Sequence, residues 1–233
     1  MSWWRRTRSA GQPRRRWFRI GCLPVLALVV SGIVLALAIA LRPRTMPDPE
    51  SIAAAQQRVE QSHLRTVASF DTIADPRVRS LALFQEAGRV IEHPRCMNCH
   101  PRTDRPTQTD AMRPHMPAVF RGPDDGGEPN LRCSTCHHDR NFAASGVPGN
   151  PKWKLAPIEM AWQGKTLGEI CRQILNPARS HMSREQLLHH MAQDALVGWA
   201  WHPGGGRSPA PGTQEEFGDI IKAWLQTGGQ CPA

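Results

Sequence analysis

Cys96-Met97-Asn98-Cys99-His100 and Cys133-Ser134-Thr135-Cys136-His137 are two copies of one five-residue pattern, C-x-x-C-H, in a chain of 233 residues. The segment between them, residues 101–130, contains six prolines and leaves little room for regular secondary structure. An irregular segment of this length within a compact domain needs some other reason to be ordered. Whatever binds at the two motifs therefore decides what fold this part of the chain can adopt.

The C-x-x-C-H pattern is the attachment signature of c-type haem. Two thiols on one turn can each form a thioether with a haem vinyl group, and the histidine that follows supplies the proximal ligand of the iron. The cysteines predicted to attach two haems covalently are Cys96, Cys99, Cys133 and Cys136. His100 and His137 are the predicted proximal ligands. A large apolar macrocycle would also supply the core that residues 101–130 lack.

Two other uses of paired cysteines remain as alternatives. A zinc ribbon also pairs C-x-x-C motifs, but 33 residues separate Cys99 from Cys133, against a usual spacing of about 15 to 20. A disulfide within each motif is the other alternative, although such bridges are usually catalytic and neither motif has a thioredoxin-like context. The histidine that ends each motif favours haem.

Three of the seven cysteines are not used by the motifs: Cys22, Cys171 and Cys231. Cys22 lies at the start of an apolar run and is predicted to be inert. Cys171 and Cys231 lie in or just after predicted C-terminal helices. The N-terminal region, described below, predicts that this part of the chain is exported to an oxidising compartment, so the two cysteines are predicted to form a disulfide that closes the last third. The alternative is two separate free thiols.

The sixth ligand of each iron would decide the class of protein, because a closed iron serves electron transfer whereas an open one can activate small ligands. His115 lies between the two motifs and is the first candidate, with Met112 and Met116 as its fallbacks. For the other iron, Leu187, His190 and Met191 share one face of a predicted helix at i, i+3 and i+4. His190 is the candidate there, and Met191 and His189 are its fallbacks.

Helix signals dominate the last third of the chain, where three capping boxes mark helix starts. These are Thr166 with Glu169, Ser183 with Gln186, and Thr213 with Glu216. The last box opens an amphipathic pattern in which Phe217, Ile220, Ile221, Trp224 and Leu225 share one face. Strand alternation is not convincing anywhere, so the fold class is predicted to be mostly α.

The N-terminal region has the composition of a membrane anchor. Residues 1–19 hold seven arginines and no acid, and residues 20–41 are 22 consecutive uncharged residues, about 33 Å of helix. The positive-inside rule then places the N-terminus in the cytoplasm and the rest in the periplasm of a bacterium. The alternative is a cleaved signal peptide, because Ala38-Ile39-Ala40 resembles a cleavage site.

The charge of the chain is unevenly distributed. The net charge is +9, but residues 20–233 hold 22 basic and 20 acidic side chains, a balance of +2. This part offers no general basic footprint for nucleic acid, and no nucleic-acid partner is expected.

These observations predict four segments. Residues 1–19 form an arginine-rich cytoplasmic tail, 20–41 a single transmembrane helix, 42–77 a linker and helix, and 78–233 a loop-rich helical dihaem cytochrome c domain. The motifs begin only 37 residues apart, too close for two tandem modules, so both haems are expected to share one domain and lie near each other.

Several segments outside the cysteines carry a resemblance to a known family. They are 93–101, Arg121-Gly122-Pro123, Leu155-Ala156-Pro157, Met160-Ala161-Trp162, 168–171, Trp199-Ala200-Trp201 and 209–214. By these segments and the two motifs, residues 78–232 resemble the small dihaem c-type cytochromes often labelled isoquinoline 1-oxidoreductase subunits. The resemblance implies electron transfer beside an exported molybdenum hydroxylase that oxidises aldehydes or N-heterocycles.

The sequence therefore predicts a membrane-anchored periplasmic cytochrome with two covalent haems. It would take electrons from a periplasmic dehydrogenase, for which a molybdenum hydroxylase is one candidate, and pass them to a cytochrome or terminal oxidase of the respiratory chain. No catalytic residue is predicted. The alternatives are a dihaem enzyme with an open iron, such as a peroxidase or quinol dehydrogenase, and a haem-based sensor or assembly factor.

Overall fold

The computed structural model of the protein describes residues 23–40 and 48–233. The predicted arginine-rich tail, residues 1–19, lies outside these residues, as does the first part of the predicted linker, residues 42–47. Two compact units make up the chain, with the division after Pro49. The second unit, Glu50–Ala233, contains both C-x-x-C-H motifs.

Helices are the main regular structure of the described residues, and strands are few and short. The α-helices are α1 Leu23–Ala40, α2 Pro49–Ser62, α3 Pro76–Ile91, α4 Pro94–Met97, α5 Leu167–Ile174, α6 Pro177–Ser180, α7 Arg184–Gln193, α8 Ala195–Gly198 and α9 Gln214–Gln226. Short 3-10 turns at Val67–Phe70, Cys133–Thr135, Ile158–Met160 and Trp199–Trp201 connect them.

The predicted transmembrane helix at 20–41 is wrong, and with it the predicted fold class. In the parts of the chain that the structure describes, no helix is long and apolar enough to cross a membrane. The helix in that region, α1, has 18 residues, which gives about 27 Å at 1.5 Å per residue. Crossing a hydrocarbon core of about 30 Å takes about 20 predominantly apolar residues, and α1 as described is shorter than this.

The core of the second unit forms where α9 packs against α3 and α7. Trp224 of α9 and Phe84 of α3 are fully buried, with ring centroids 4.5 Å apart. The predicted amphipathic face of α9 is confirmed, since Phe217, Ile220, Ile221 and Trp224 are buried and Leu225 is partly buried against them. Burial of such a face contributes roughly 1.5 to 3 kcal/mol per large apolar side chain.

All three predicted capping boxes are confirmed. In each, the N-cap hydroxyl accepts from the N3 backbone N–H, and the N3 side chain accepts from the N-cap N–H. These reciprocal bonds satisfy two of the donors that a helix start leaves open. They fix where α5, α7 and α9 begin, and α7 carries the candidate ligands His190 and Met191.

A disulfide joins Cys171 of α5 to Cys231 near the C-terminus. It is the pair that remained once the motif cysteines and Cys22 were set aside. The bridge ties the end of the chain to the helical part of the unit, and Cys171 is fully buried.

The strands form two small antiparallel hairpins between the motifs. They are β1 Thr107–Gln108 with β2 Arg113–Pro114, and β3 Gly127–Glu128 with β4 Leu131–Arg132. Two residues per strand are too short to produce a readable alternation in the sequence. The second hairpin leads directly into the second motif, because the N–H of Cys133 donates to the carbonyl of Gly126 at 2.9 Å.

Candidate functional site

The first motif is built on the short helix α4. His93 caps this helix by accepting from the Arg95 N–H at 3.2 Å, and Pro94 takes the first helical position, where no N–H donor is needed. Cys96 lies in the helix, and successive turn bonds then carry the backbone to His100. Both thiols and the histidine therefore lie on adjacent turns.

The imidazole of His100 is held on two sides. Its Nδ1 lies 2.6 Å from the carbonyl oxygen of Met160, and its ring stacks flat on Trp162, with centroids 3.5 Å apart and planes 8° apart. Burial lowers the pKa of His100 to about 4, so the ring is neutral at pH 7. Because a carbonyl can only accept, the proton is on Nδ1 and the lone pair is on Nε2.

His137 of the second motif has the same construction. Its Nδ1 lies 2.7 Å from the carbonyl oxygen of Pro148, and its ring stacks on Trp153, with centroids 4.6 Å and planes 12° apart. Burial also lowers the pKa of His137, which favours the neutral ring. Metal-ligating histidines usually donate their second ring N–H to a carbonyl or carboxylate in this way.

All four motif cysteines are free thiols in the structure. Burial raises the pKa of Cys96 to about 12 and that of Cys99 to about 11. Burial also raises the pKa of Cys133. Raised pKa values keep these three sulfurs protonated at pH 7.

The first motif opens onto an apolar cavity of about 310 Å³. Cys96, Cys99 and His100 line it together with side chains from α7, α8 and the loop at 153–162. The apolar lining includes Leu155, Met160, Leu187, Val197 and Phe217. This is the size range of small-molecule and cofactor pockets.

A second cavity of about 370 Å³ lies at the second motif. Cys133, Cys136 and His137 line it, as do residues of both hairpins and the loop between them. Its apolar lining includes Val119, Phe120, Leu131, Val147 and Pro148. The irregular segment 101–130 therefore folds around a cavity, as a cofactor-wrapping loop would.

The two cavities share one wall. The residues that line both are Arg95, Cys99, Trp153, Lys154, Leu155 and Trp199. Groups bound in the two cavities would therefore be neighbours across these side chains.

His190 and Met191 of α7 line the first cavity. Met191 is buried, and His190 is half-buried with its Nδ1 3.7 Å from the Asp194 carboxylate. Burial lowers the pKa of His190 and so favours its neutral form. The neighbouring His189 is exposed and is not part of the cavity wall.

His115 lines the second cavity, with its ring centroid 5.9 Å from that of His137. Its Nδ1 lies 3.0 Å from the carbonyl oxygen of Pro117, so it shares the arrangement of His100 and His137. Met116 also lines this cavity but is exposed, and its sulfur accepts from the Arg105 guanidinium at 3.2 Å. The structure thus associates His115 with the second motif and His190 with the first.

One predicted property needs correction. The motif histidines suggest a metal-binding group, but within the described residues no group of three or more His, Cys, Asp or Glu is placed to hold a metal ion. Such a group would coordinate an ion through protein side chains alone. A haem iron makes a different demand, because the porphyrin supplies four of its ligands and the protein only one or two.

Several residues of the site carry no signal in the sequence. His181 lines the first cavity, although a lone histidine after a short helix resembles an ordinary surface residue. Arg95 lines both cavities and could have been suspected only because a charged residue stands directly before a motif cysteine. The carbonyls of Met160 and Pro148 are backbone groups and cannot be read from side-chain identity.

Comparison of the chain with protein families, with curated proteins and with solved structures finds no significant match.

Proposed function

We propose that this protein is an electron-transfer protein that carries two covalently attached c-type haems. One observation carries the proposal. In both motifs the histidine is neutral, is held through Nδ1 by a backbone carbonyl and is stacked on a tryptophan, beside an apolar cavity lined by the same motif's two thiols. Residues 148–162 supply the carbonyl and the tryptophan at both motifs, and this arrangement would leave Nε2 free to bind iron.

The residues fit the group in each cavity. Cys96 and Cys99 would hold one haem, with His100 as its proximal ligand. Cys133 and Cys136 would hold the other, with His137 in that role. The bound haem iron would supply one-electron redox chemistry by alternating between its ferric and ferrous states.

The proposed sixth ligands are His190 for the first haem and His115 for the second. Each lines the cavity of its motif. The Nδ1 of His115 lies 3.0 Å from a carbonyl oxygen, whereas that of His190 lies 3.7 Å from the Asp194 carboxylate, beyond hydrogen-bond distance. Met191 remains the fallback for the first site. Two closed irons favour electron transfer over an enzyme with an open coordination position.

The proposed location is the outer side of the cytoplasmic membrane of a bacterium. The Cys171–Cys231 disulfide supports it, because such bridges persist in oxidising compartments. The resemblance to isoquinoline 1-oxidoreductase cytochromes proposes an exported molybdenum hydroxylase as the electron donor. A cytochrome or terminal oxidase is the proposed acceptor.

Mass spectrometry of the protein, made in a bacterium that attaches haem to exported chains, tests the cofactor directly. We expect the denatured chain to carry the added mass of two haems. Any other increment would contradict the proposal. The oxidised protein should show two six-coordinate low-spin haems that do not bind cyanide, whereas cyanide or peroxide binding would favour the enzyme alternative.

Single histidine variants test the sixth ligands. His190→Ala and His115→Ala should each keep both haems and convert one of them to a high-spin spectrum. His189→Ala, one residue from His190 but exposed, is the matched control and should leave the spectrum unchanged. An unchanged spectrum for His190→Ala together with a changed one for Met191→Ala would assign the ligand to Met191.

A further inference from the structure

Arg95 is a buried cation that its protein partners satisfy only in part. Its side chain is 1% exposed, and within the described residues its Nε has no hydrogen-bond partner. A buried charge with an unpaired donor costs free energy comparable to a lost charge-assisted hydrogen bond. A buried arginine with an unpaired Nε points to an acceptor supplied by a bound ligand.

The contacts of Arg95 involve one terminal nitrogen and the face of its guanidinium. One terminal nitrogen pairs with Asp110, whose other carboxylate oxygen accepts from the Ser208 N–H at 3.2 Å. The guanidinium also lies over the ring of Trp199, with its carbon 5.8 Å from the ring centroid. Asp110 is about half-exposed, so this pair anchors Arg95 from the solvent side and leaves its Nε for another acceptor.

The position of Arg95 narrows the choice of that acceptor. Arg95 belongs to the wall shared by the two cavities. The permanently charged side chains that line the cavities are all cations: Arg95 and Lys154 line both, and Arg132 and Arg207 line the second. No carboxylate side chain lines either cavity within the described residues. Apolar cavities with only positive charge at their walls suit an apolar ligand that carries carboxylates.

We propose that Arg95 binds a haem propionate carboxylate at the wall between the two cavities, and that its charge sets the redox potentials of both haems. This inference rests on the proposed function, because haem is the ligand that brings the carboxylates. Arg95 is thus a positioning residue: it touches neither iron, but it fixes a carboxylate and places one positive charge between two redox centres. A positive charge there favours the ferrous state of each haem, since the ferric state carries one more positive charge.

A spectroscopic redox titration of Arg95→Gln tests the proposal. We expect both midpoint potentials to fall relative to the wild type, while the mass still shows two haems. Arg95→Lys keeps the charge, so both of its potentials should stay close to those of the wild type; this comparison with the wild type is available even where Arg95→Gln is too unstable to titrate. The control is Arg77→Gln, an exposed arginine on α3, which should leave both potentials unchanged.

A variant of the partner acid separates a charge effect from a structural one. Asp110→Asn removes the neighbouring negative charge and leaves Arg95 in place, so both potentials should rise. Potentials that move in the same direction in Arg95→Gln and Asp110→Asn would mean that the ion pair is only structural, and would overturn the proposal. A change in only one potential, or in neither, would also overturn it.

Titration of the wild type in acetate and in chloride at equal ionic strength distinguishes the source of the carboxylate. A propionate already in place predicts the same potentials in both salts. Potentials that depend on the acetate concentration would mean that Arg95 binds free carboxylates instead. A wild-type protein without haem would contradict the proposed function itself, whereas two haems with unaltered potentials in Arg95→Gln would contradict this inference alone.

Discussion

The two C-x-x-C-H motifs have the same five-residue pattern but lie in different surroundings. In the first, Arg95 and Met97 are buried and α4 packs against α3 of the core. In the second, Ser134, Thr135 and Cys136 are exposed and the motif follows a small hairpin. The features that both share, the carbonyl at Nδ1 and the stacked tryptophan, are those that prepare an imidazole to bind a metal. The two motifs differ in how deeply they are buried, and burial affects both the stability of the site and the redox potential of a bound haem.

The largest difference is expected when the haems are removed one at a time. Cys96→Ala with Cys99→Ala should lose one haem and destabilise the protein by more than about 5 kcal/mol, because the vacated space adjoins the core and a haem is larger than any buried side chain. Cys133→Ala with Cys136→Ala should lose the other haem at a much smaller cost. Mass spectrometry and urea unfolding measure both. Equal losses of stability would contradict the difference in burial between the motifs.

The disulfide provides a second test, because it ties α5 to the chain end on the helical side of the unit. Replacing Cys171 and Cys231 together by alanine should destabilise the protein by about 4 kcal/mol, the loop-entropy value for a sequence separation of 60 residues. The midpoint of urea unfolding should fall, with the haem content unchanged. If urea instead releases the second haem before the first in this variant, the bridge does not mainly stabilise the helical side of the unit.

The tryptophans that stack on the two proximal histidines allow a finer comparison. Trp162 is buried and lies 3.5 Å from His100, whereas Trp153 is half-buried and lies 4.6 Å from His137, centroid to centroid. Trp162→Ala should therefore cost about 3 kcal/mol and Trp153→Ala about 1 kcal/mol.

Thermal unfolding of the two tryptophan variants, followed by the absorption of each haem, measures these effects. Trp162→Phe keeps an aromatic ring and serves as the control, with an expected loss smaller than that of Trp162→Ala. A larger loss of stability for Trp153→Ala than for Trp162→Ala would contradict the conclusion that the first motif is the more deeply buried of the two.

How far the sequence predicts this molecule differs between its regions. The three capping boxes and the apolar face of α9 follow from local chemistry, since a hydroxyl and a carboxylate or amide three residues apart satisfy each other's backbone wherever the helix lies. The apolar run at 20–41 was misleading because hydropathy is summed over residues and does not give the length of an apolar helix. Among the described residues, no helix is long and apolar enough to cross a membrane.

The candidate site divides in the same way. The four motif cysteines and their histidines are consecutive in sequence, so their grouping could be predicted. The pairing of His190 with the first motif and His115 with the second depends on tertiary packing across 90 and 22 residues of sequence, respectively. Spacing along the chain does not encode contacts of this kind, and Arg95 became visible as a candidate only once its burial was known.

The smallest predicted effect lies in the hairpin that leads into the second motif. Asp124 pairs with Arg132 at 2.6 Å and accepts from the Gly126 N–H at 3.2 Å. The hydrogen bond from Arg132 is the main cause that lowers the pKa of Asp124 to about 2, from its ordinary 3.8. A carboxyl with a lowered pKa in the folded state contributes stability above pH 3.8, and this contribution is lost as the pH falls through about 2.

Asp124→Asn removes that contribution, so the variant should lose less of its hairpin protection than the wild type as the pH falls from 4 to about 2. The first amide to report it should be that of Cys133, which donates to the Gly126 carbonyl at the base of the hairpin. Amide hydrogen exchange at a series of acidic pH values measures the difference.

Asp139→Asn, at an exposed acid just after the second motif, is the control. The amides of the first motif should exchange alike in all three proteins, because α4 is held by the core and not by a surface ion pair. A change at Cys99 as large as that at Cys133 would mean that the two motifs unfold together, and that their difference in burial does not make them independent.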